Sequence, residues 1–198
     1  SVLRPCILWN DTRSMPQCIE MEKNFPLLRE QSGNIAMPGF TAPKLLWVQQ
    51  HEPDIFNQIH KVLLPKDYLR LKLTGSYFTD MSDASGTLWL DVKNRQWSED
   101  LLNLTGLNLA HMPGLVEGSD LTDTLSSKLK DDLDFERDII FAGGAGDQAA
   151  GAVGSGVINP NQSMISLGTS GVYFSPTSKF SSNTNQAVHS FCHCLPNT

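Results

Sequence analysis

Asp138-Ile139-Ile140-Phe141-Ala142-Gly143-Gly144-Ala145-Gly146-Asp147-Gln148-Ala149-Ala150-Gly151-Ala152-Val153-Gly154 is the stretch of this 198-residue chain from which the fold is read. Asp138 to Ala142 reads as a strand, Gly143 to Gly146 as a tight turn, and Asp147 to Gly154 as a helix. A strand that feeds a glycine turn lets backbone approach a ligand, and the helix behind it presents unpaired N–H groups. Asp147 stands at the helix start, where the positive end of the helix dipole favours an ionised carboxylate. Two compatible roles fit it. It can cap the helix, as Asp often does, or it can take a proton from an attacking hydroxyl. Gly144-x-Gly146-x-x-Ala149 also matches a relaxed dinucleotide fingerprint. That fold needs an acidic residue about 20 positions further on to hold the ribose, and the chain has no Asp or Glu after Asp147. The dinucleotide reading is set aside.

Charge is spread unevenly on either side of Asp147. Lys179 is the sole Lys or Arg beyond it, so residues 148–198 net +1, while residues 1–147 net −7. A stretch so poor in charge and rich in Gly, Ser, Val and Phe is expected to lie buried in a larger sheet, which makes the chain read as a piece of a longer protein. Strands are expected at 163–168 and 171–174, joined by Gly168-Thr169-Ser170-Gly171. The backbone amides and the Thr169 and Ser170 hydroxyls of such a turn can cup a phosphate, although Gly-Thr-Ser-Gly is also an ordinary hairpin turn. A paired hairpin here favours a mixed sheet over a purely parallel one. Turn formers at Asn159-Pro160-Asn161 suggest a domain boundary near 160. His189-Ser190-Phe191-Cys192-His193-Cys194 looks like a metal knuckle, but Cys-x-Cys does not match the spacing of structural zinc pairs. A strand with alternating burial explains it better.

Upstream, Val2 to Trp9 reads as a buried strand, and residues 14–30 carry a helical pattern with Cys18, Met21, Phe25 and Leu28 on one face. Thr41 is expected to cap a helix over 42–51 with Pro43 in its first turn. Pro53 opens a short helix to His60, and Val62 to Leu64 reads as a short strand. Pro65 starts a helix through Leu73, ended by Gly75 in the left-handed conformation that helix ends favour. Thr87 to Val92 is expected as strand, Ser98 as the cap of a helix over 99–104, and residues 120–133 as weak helix. Lys44 sits in an apolar helix start, where either an anion or buried acid would explain it, or the side chain snorkels.

Composition narrows the class. A net charge of −6 and a pI near 5.3 leave no electrostatic footprint for nucleic acid. No run approaches the roughly 18 apolar residues of a membrane helix. Four Trp and nine Phe argue against disorder. Four scattered cysteines do not make a disulfide scaffold, and they point to a reducing, cytoplasmic compartment.

Three clusters in this order resemble the FGGY carbohydrate kinases. Gly39, Thr41, Lys44, Leu45, Trp47, Val48, Gln50 and His51 fit the family's first signature. Gly143 to Ala149 is similar to the segment bearing the family's catalytic aspartate, which falls on Asp147. Ser166 to Gly171 looks like its second phosphate loop, with Gly168 and Thr169 at the nucleotide-binding positions. Thr79-Asp80-x-Ser82-x-Ala84-Ser85-x-Thr87, continuing to Asp91, matches a further family motif. Residues 7–13, 64–69 and 189–193 look most like the family's bacterial xylulose kinases. Gln148 stands where those enzymes usually have the sugar-contacting Asn, and glutamine is common there in other members.

The resemblance implies an α/β, actin-like and ribonuclease-H-like ATPase fold. Residues 1–158 would form most of the first FGGY domain, and 159–198 the opening strands of the second. It implies Asp147 as the base, Gln148 as a substrate contact, and Gly168 and Thr169 as phosphate contacts. D-xylulose would be the acceptor and ATP with Mg²⁺ the donor, with a homodimer among the assemblies it allows. The first phosphate loop with its metal-holding Asp is expected before Ser1, and the adenosine motif after Thr198. As an isolated piece the chain is therefore expected to be inactive. Another sugar or polyol kinase (ribulose, gluconate, glycerol) and a non-catalytic actin-like interaction module are the alternatives.

Overall fold

The computed structural model describes residues 1–168, 170–196 and 198. In chain order the first elements are α1 (Met15–Asn24), α2 (Leu28–Ser32), α3 (Thr41–His51), α4 (Pro53–Phe56), α5 (Pro65–Thr74), β1 (Phe78–Asp80) and α6 (Met81–Ser85). Next come β2 (Leu90–Asp91), β3 (Gln96–Trp97), α7 (Glu99–Asn103), β4 (Gly114–Val116), β5 (Leu121–Thr124) and α8 (Ser127–Asp132). The last are β6 (Ile140–Ala142), α9 (Asp147–Gly154), β7 (Met164–Leu167) and β8 (Gly171–Phe174). The chain divides into two compact units that interleave along the sequence.

The first unit comprises Ser1–Val62, Ala84–Met112 and Phe180–Phe191. Its core joins Cys18, Met21 and Leu28 from the first two helices to Leu46, Trp89, Leu101 and Leu102. The helical pattern over 14–30 is real but broken, because Pro26 cannot continue the N–H ladder and the chain turns between Asn24 and Leu28. Trp89 is fully buried, and its indole N–H is satisfied by the Thr105 hydroxyl at 3.1 Å. Ser98 caps α7 as its residue type suggests, accepting from the Leu101 N–H. Thr41 does not cap: it is the first helical residue, and the Thr87 carbonyl takes the Ala42 N–H instead. Val2 to Trp9 forms no strand and is mostly exposed. An apolar run becomes a strand only when it pairs with a neighbouring edge, and Val2 to Trp9 pairs with none of the described strands.

The second unit comprises Leu63–Asp83, Pro113–Lys179 and Cys192–Thr198. β1 and β4 pair in parallel, β5 and β6 pair antiparallel across an irregularity between Leu121 and Asp123, and β7 and β8 form an antiparallel hairpin. Parallel and antiparallel pairs thus coexist, but as separate two-stranded ladders rather than one mixed sheet. α5 ends at Gly75 with φ +86° and the C-cap expected of it. Val62 to Leu64 is not a strand, and of the strand expected over Thr87 to Val92 only Leu90–Asp91 forms. The weak helix expected over 120–133 is β5 followed by α8, since neither short element spans enough residues to show a period. Residues 189–194 form no strand, and 192–194 are buried consecutively rather than alternately. The 148–198 stretch is not uniformly buried either, because Ile165, Leu167 and Tyr173 are largely exposed.

Candidate active site

The site lies within the second unit and starts from a cluster of charges. Pro65 opens α5 with its preset φ, placing Lys66 and Asp67 in the first turn. β1 ends on Asp80, which then acts as the N-terminal cap of α6. Its Oδ2 accepts the backbone N–H groups of Ser82 and Asp83 at 2.9 and 3.2 Å. These two starts bring Lys66 Nζ to 2.5 Å from Asp67, 2.8 Å from Asp80 and 3.4 Å from Asp83. The Asp67 and Asp80 side chains are wholly buried, where an unpaired charge is costly and the ammonium offsets it. Burial alone would pull the Lys66 ammonium down, yet Asp67, Asp80 and Asp83 override it and hold it above its ordinary range. Burial pushes Asp83 up to about 6 against the opposing pull of Lys66.

The glycine turn packs against this cluster. Gly143 allows a close approach, because a Cβ there would strike the Glu117 carbonyl. Gly144 takes φ +87°, a conformation that side chains resist. The Gly143 and Gly144 N–H groups donate at 2.9 Å to the Asp120 and Gly118 carbonyls. They are therefore spent inside the protein rather than aimed at a ligand. The Gly146 N–H donates to the Ser82 hydroxyl at 2.9 Å.

Asp147 is the first residue of α9, with Gly146 as the cap residue and no side-chain cap bond. The carboxylate is thereby released from the capping role and stands exposed. Gln148 Nε2 donates to Asp147 Oδ2 at 3.2 Å, which fixes the amide orientation, and Gln148 Oε1 is buried without a hydrogen-bond partner. An exposed carboxylate beside a side-chain amide suits a polyol, whose hydroxyls can meet both. Gly168 occupies the tip of the β7–β8 hairpin, exposed and donating its N–H to the Ser170 carbonyl at 3.0 Å. Thr169 lies outside the described residues. Met164 at the hairpin root reaches α9 near Gly151 and Ser155. The structure thus brings Asp147 and Gln148 together and ties the hairpin root, not Gly168 itself, to their helix.

In the first unit, Lys44 is buried and donates to the Gly39 carbonyl at 2.9 Å rather than to an acid. Burial lowers its pKa. Sequence reasoning assigned no role to Lys66, Arg70, Asp80, Ser82 or Asp83. The signal was present as charged residues among small and apolar ones at 65–67 and 79–83, but their partners lie far along the chain. Among the described residues no cluster of His, Cys, Asp and Glu could hold a metal ion, and no helix is long and apolar enough to cross a membrane.

Comparison with known proteins places this geometry. The chain is 55% identical over 195 residues to the xylulose kinase of Escherichia coli K12, and 53% identical over 192 residues to that of Klebsiella pneumoniae. It spans 40% of the length of each. A solved xyloylose kinase from Brucella ovis superposes with a TM-score of 0.97 at 53% identity, covering all of this chain and 40% of that one. The xylulose kinase of Rhodospirillum rubrum, at 22% identity and a TM-score of 0.92, shows the same fold. The fold is therefore the actin-like one expected. The model of the N-terminal domain of the FGGY family of carbohydrate kinases matches residues 1–154, and this chain belongs to that family.

Proposed function

We propose that the protein carrying this chain transfers the γ-phosphoryl group of ATP to the terminal hydroxyl of D-xylulose, giving D-xylulose 5-phosphate. The observation that carries the reading is the exposed Asp147 carboxylate at the first position of α9, paired with Gln148, in a chain 53–55% identical to proteins named xylulose kinase. Asp147 accepts the proton of the attacking hydroxyl as the oxygen bonds to phosphorus. Gln148, held beside Asp147 by its side-chain amide, contacts a neighbouring sugar hydroxyl. Gly168 and Thr169 contact phosphate oxygens, a role supported by the open space around Gly168.

Mg²⁺ bound with ATP offsets the charge of the triphosphate. The carboxylates at Asp67, Asp80 and Asp83 do not fit a metal, because Lys66 already occupies the space among them, and no ligand is assigned to them. Residues 1–158 form most of the first FGGY domain and 159–198 the start of the second, a division supported by the family match ending at residue 154. The protein acts in the cytoplasm, in keeping with free thiols at Cys6, Cys18 and Cys194. A homodimer is the assembly proposed, and light scattering of the full-length protein tests it: a monomer mass discards it.

The test is ADP release by the full-length protein with ATP and Mg²⁺ over D-xylulose, L-ribulose, gluconate and glycerol. Turnover is expected with D-xylulose and is expected to fall at least about a hundredfold in Asp147→Ala, the scale of a general base. Preference for another polyol discards the sugar and keeps the kinase. ADP release indifferent to every sugar discards both.

A further inference from the structure

The turn from Gly143 to Gly146 is pinned at both ends by side chains from one short segment, residues 70–82. At its start the buried Arg70 guanidinium donates to the Ala142 carbonyl at 2.6 Å, to the Gly143 carbonyl, and to the Thr122 hydroxyl at 2.7 Å. At its end the Gly146 N–H donates to Ser82 Oγ at 2.9 Å, and the Ser82 hydroxyl donates to Asp80 Oδ2. A hydroxyl has one proton, so committing it to Asp80 turns an oxygen lone pair toward Gly146. Asp80 is itself fixed by Lys66 at 2.8 Å and by two backbone N–H groups. Ion, carboxylate, hydroxyl and amide form a chain in which each bond polarises the next.

We infer that Ser82, oriented by Asp80, is a positioning residue for the Asp147 carboxylate, and that Arg70 holds the opposite end of the same turn. The inference rests on the proposed role of Asp147 as the base. Gly146 is the cap residue of α9 and Asp147 its first residue, so the carboxylate goes where the Gly146 amide goes. Glycine turns are soft, whereas a base displaced by about 1 Å loses on the order of a hundredfold in rate.

The experiment compares parent, Ser82→Ala and Ser82→Thr in the full-length protein, by steady-state kinetics with the best acceptor and by hydrogen–deuterium exchange. Ser82→Ala is expected to lower kcat about tenfold or more, with KM for ATP within about twofold. Exchange over residues 143–148 should quicken while that of α7 stays unchanged. Ser82→Thr, which keeps the hydroxyl, should recover kcat to within about threefold of the parent. A Ser82→Ala protein with kcat within about twofold of the parent, or with unchanged exchange over 143–148, overturns the inference. So does faster exchange at α7 as well, which marks general loosening. A parent that phosphorylates no sugar rejects the base and the positioning role together. An active parent with an unperturbed Ser82→Ala variant rejects the positioning role alone.

Discussion

Asp83 shares Lys66 with Asp67 and Asp80, both wholly buried, and it is the carboxyl that burial pushes up, from an ordinary 3.8 to about 6. A folded pKa above the unfolded one means that the fold prefers the protonated form. The stability this supplies is complete below about pH 4 and is lost as pH rises through about 6. Asp83→Asn keeps the shape and removes the titration. Its stability, followed by urea unfolding, should be flatter than the parent's between pH 4 and 6 and higher at pH 8 by about 1–2 kcal/mol. A variant less stable than the parent at pH 8 would show that the 3.4 Å pairing with Lys66 outweighs the burial cost. Lys66→Met is the opposite case. It leaves three carboxylates, two of them wholly buried, without their cation, and should cost about 3–5 kcal/mol at neutral pH. Unfolding midpoints measured at pH 5 and pH 7 should show the loss shrinking at the lower pH, as Asp83 takes up its proton.

Elements here begin and end on residues with a single mechanical reason. Gly75 ends α5 at φ +86° with nothing within 4 Å of where a Cβ would stand. Gly75→Ala therefore meets only conformational strain and should cost about 1 kcal/mol. Gly143 is the contrary case, since its Cβ would collide with the Glu117 carbonyl, which is backbone and cannot turn aside. Gly143→Ala should cost more, about 2 kcal/mol or above, and should loosen the turn. Equal losses for the two in denaturant titrations would refute the distinction. The same local mechanics explain what was legible. Pro65, Gly75, Ser98 and the strand–turn–helix from Ile140 to Gly154 were readable because cap, breaker and period all act within a few residues. Thr41 misled because the helix starts one residue earlier than expected, with Thr41 as its first residue and the Ala42 N–H bonded to the Thr87 carbonyl far along the chain. β4 and β5 were missed because strands of three and four residues carry too little pattern.

At the scale of the whole chain, the β7–β8 hairpin presents Ile165, Leu167 and Tyr173 on one face, with Ile165 paired to Tyr173 across the ladder and all three largely exposed. An apolar face of this kind recruits partners or dye. The 198-residue chain expressed by itself should bind a hydrophobic dye strongly, and Ile165→Lys with Tyr173→Lys should reduce that signal severalfold. Unchanged fluorescence would place the apolar surface elsewhere, for instance at Leu8 and Trp9, which are also exposed. The sequence by itself determined the family resemblance, the Asp147 helix start and its Gln148 neighbour, and the low-charge stretch beyond them, because these are properties of adjacent residues. Tertiary structure alone decided what holds Asp147 in place. Arg70 lies 72 residues from Ala142 and Ser82 lies 64 from Gly146 in sequence. Bonds across such separations leave no period in the sequence. They exist because β1 ends where it does, turning the Asp80 carboxylate inward to meet Lys66 and Ser82.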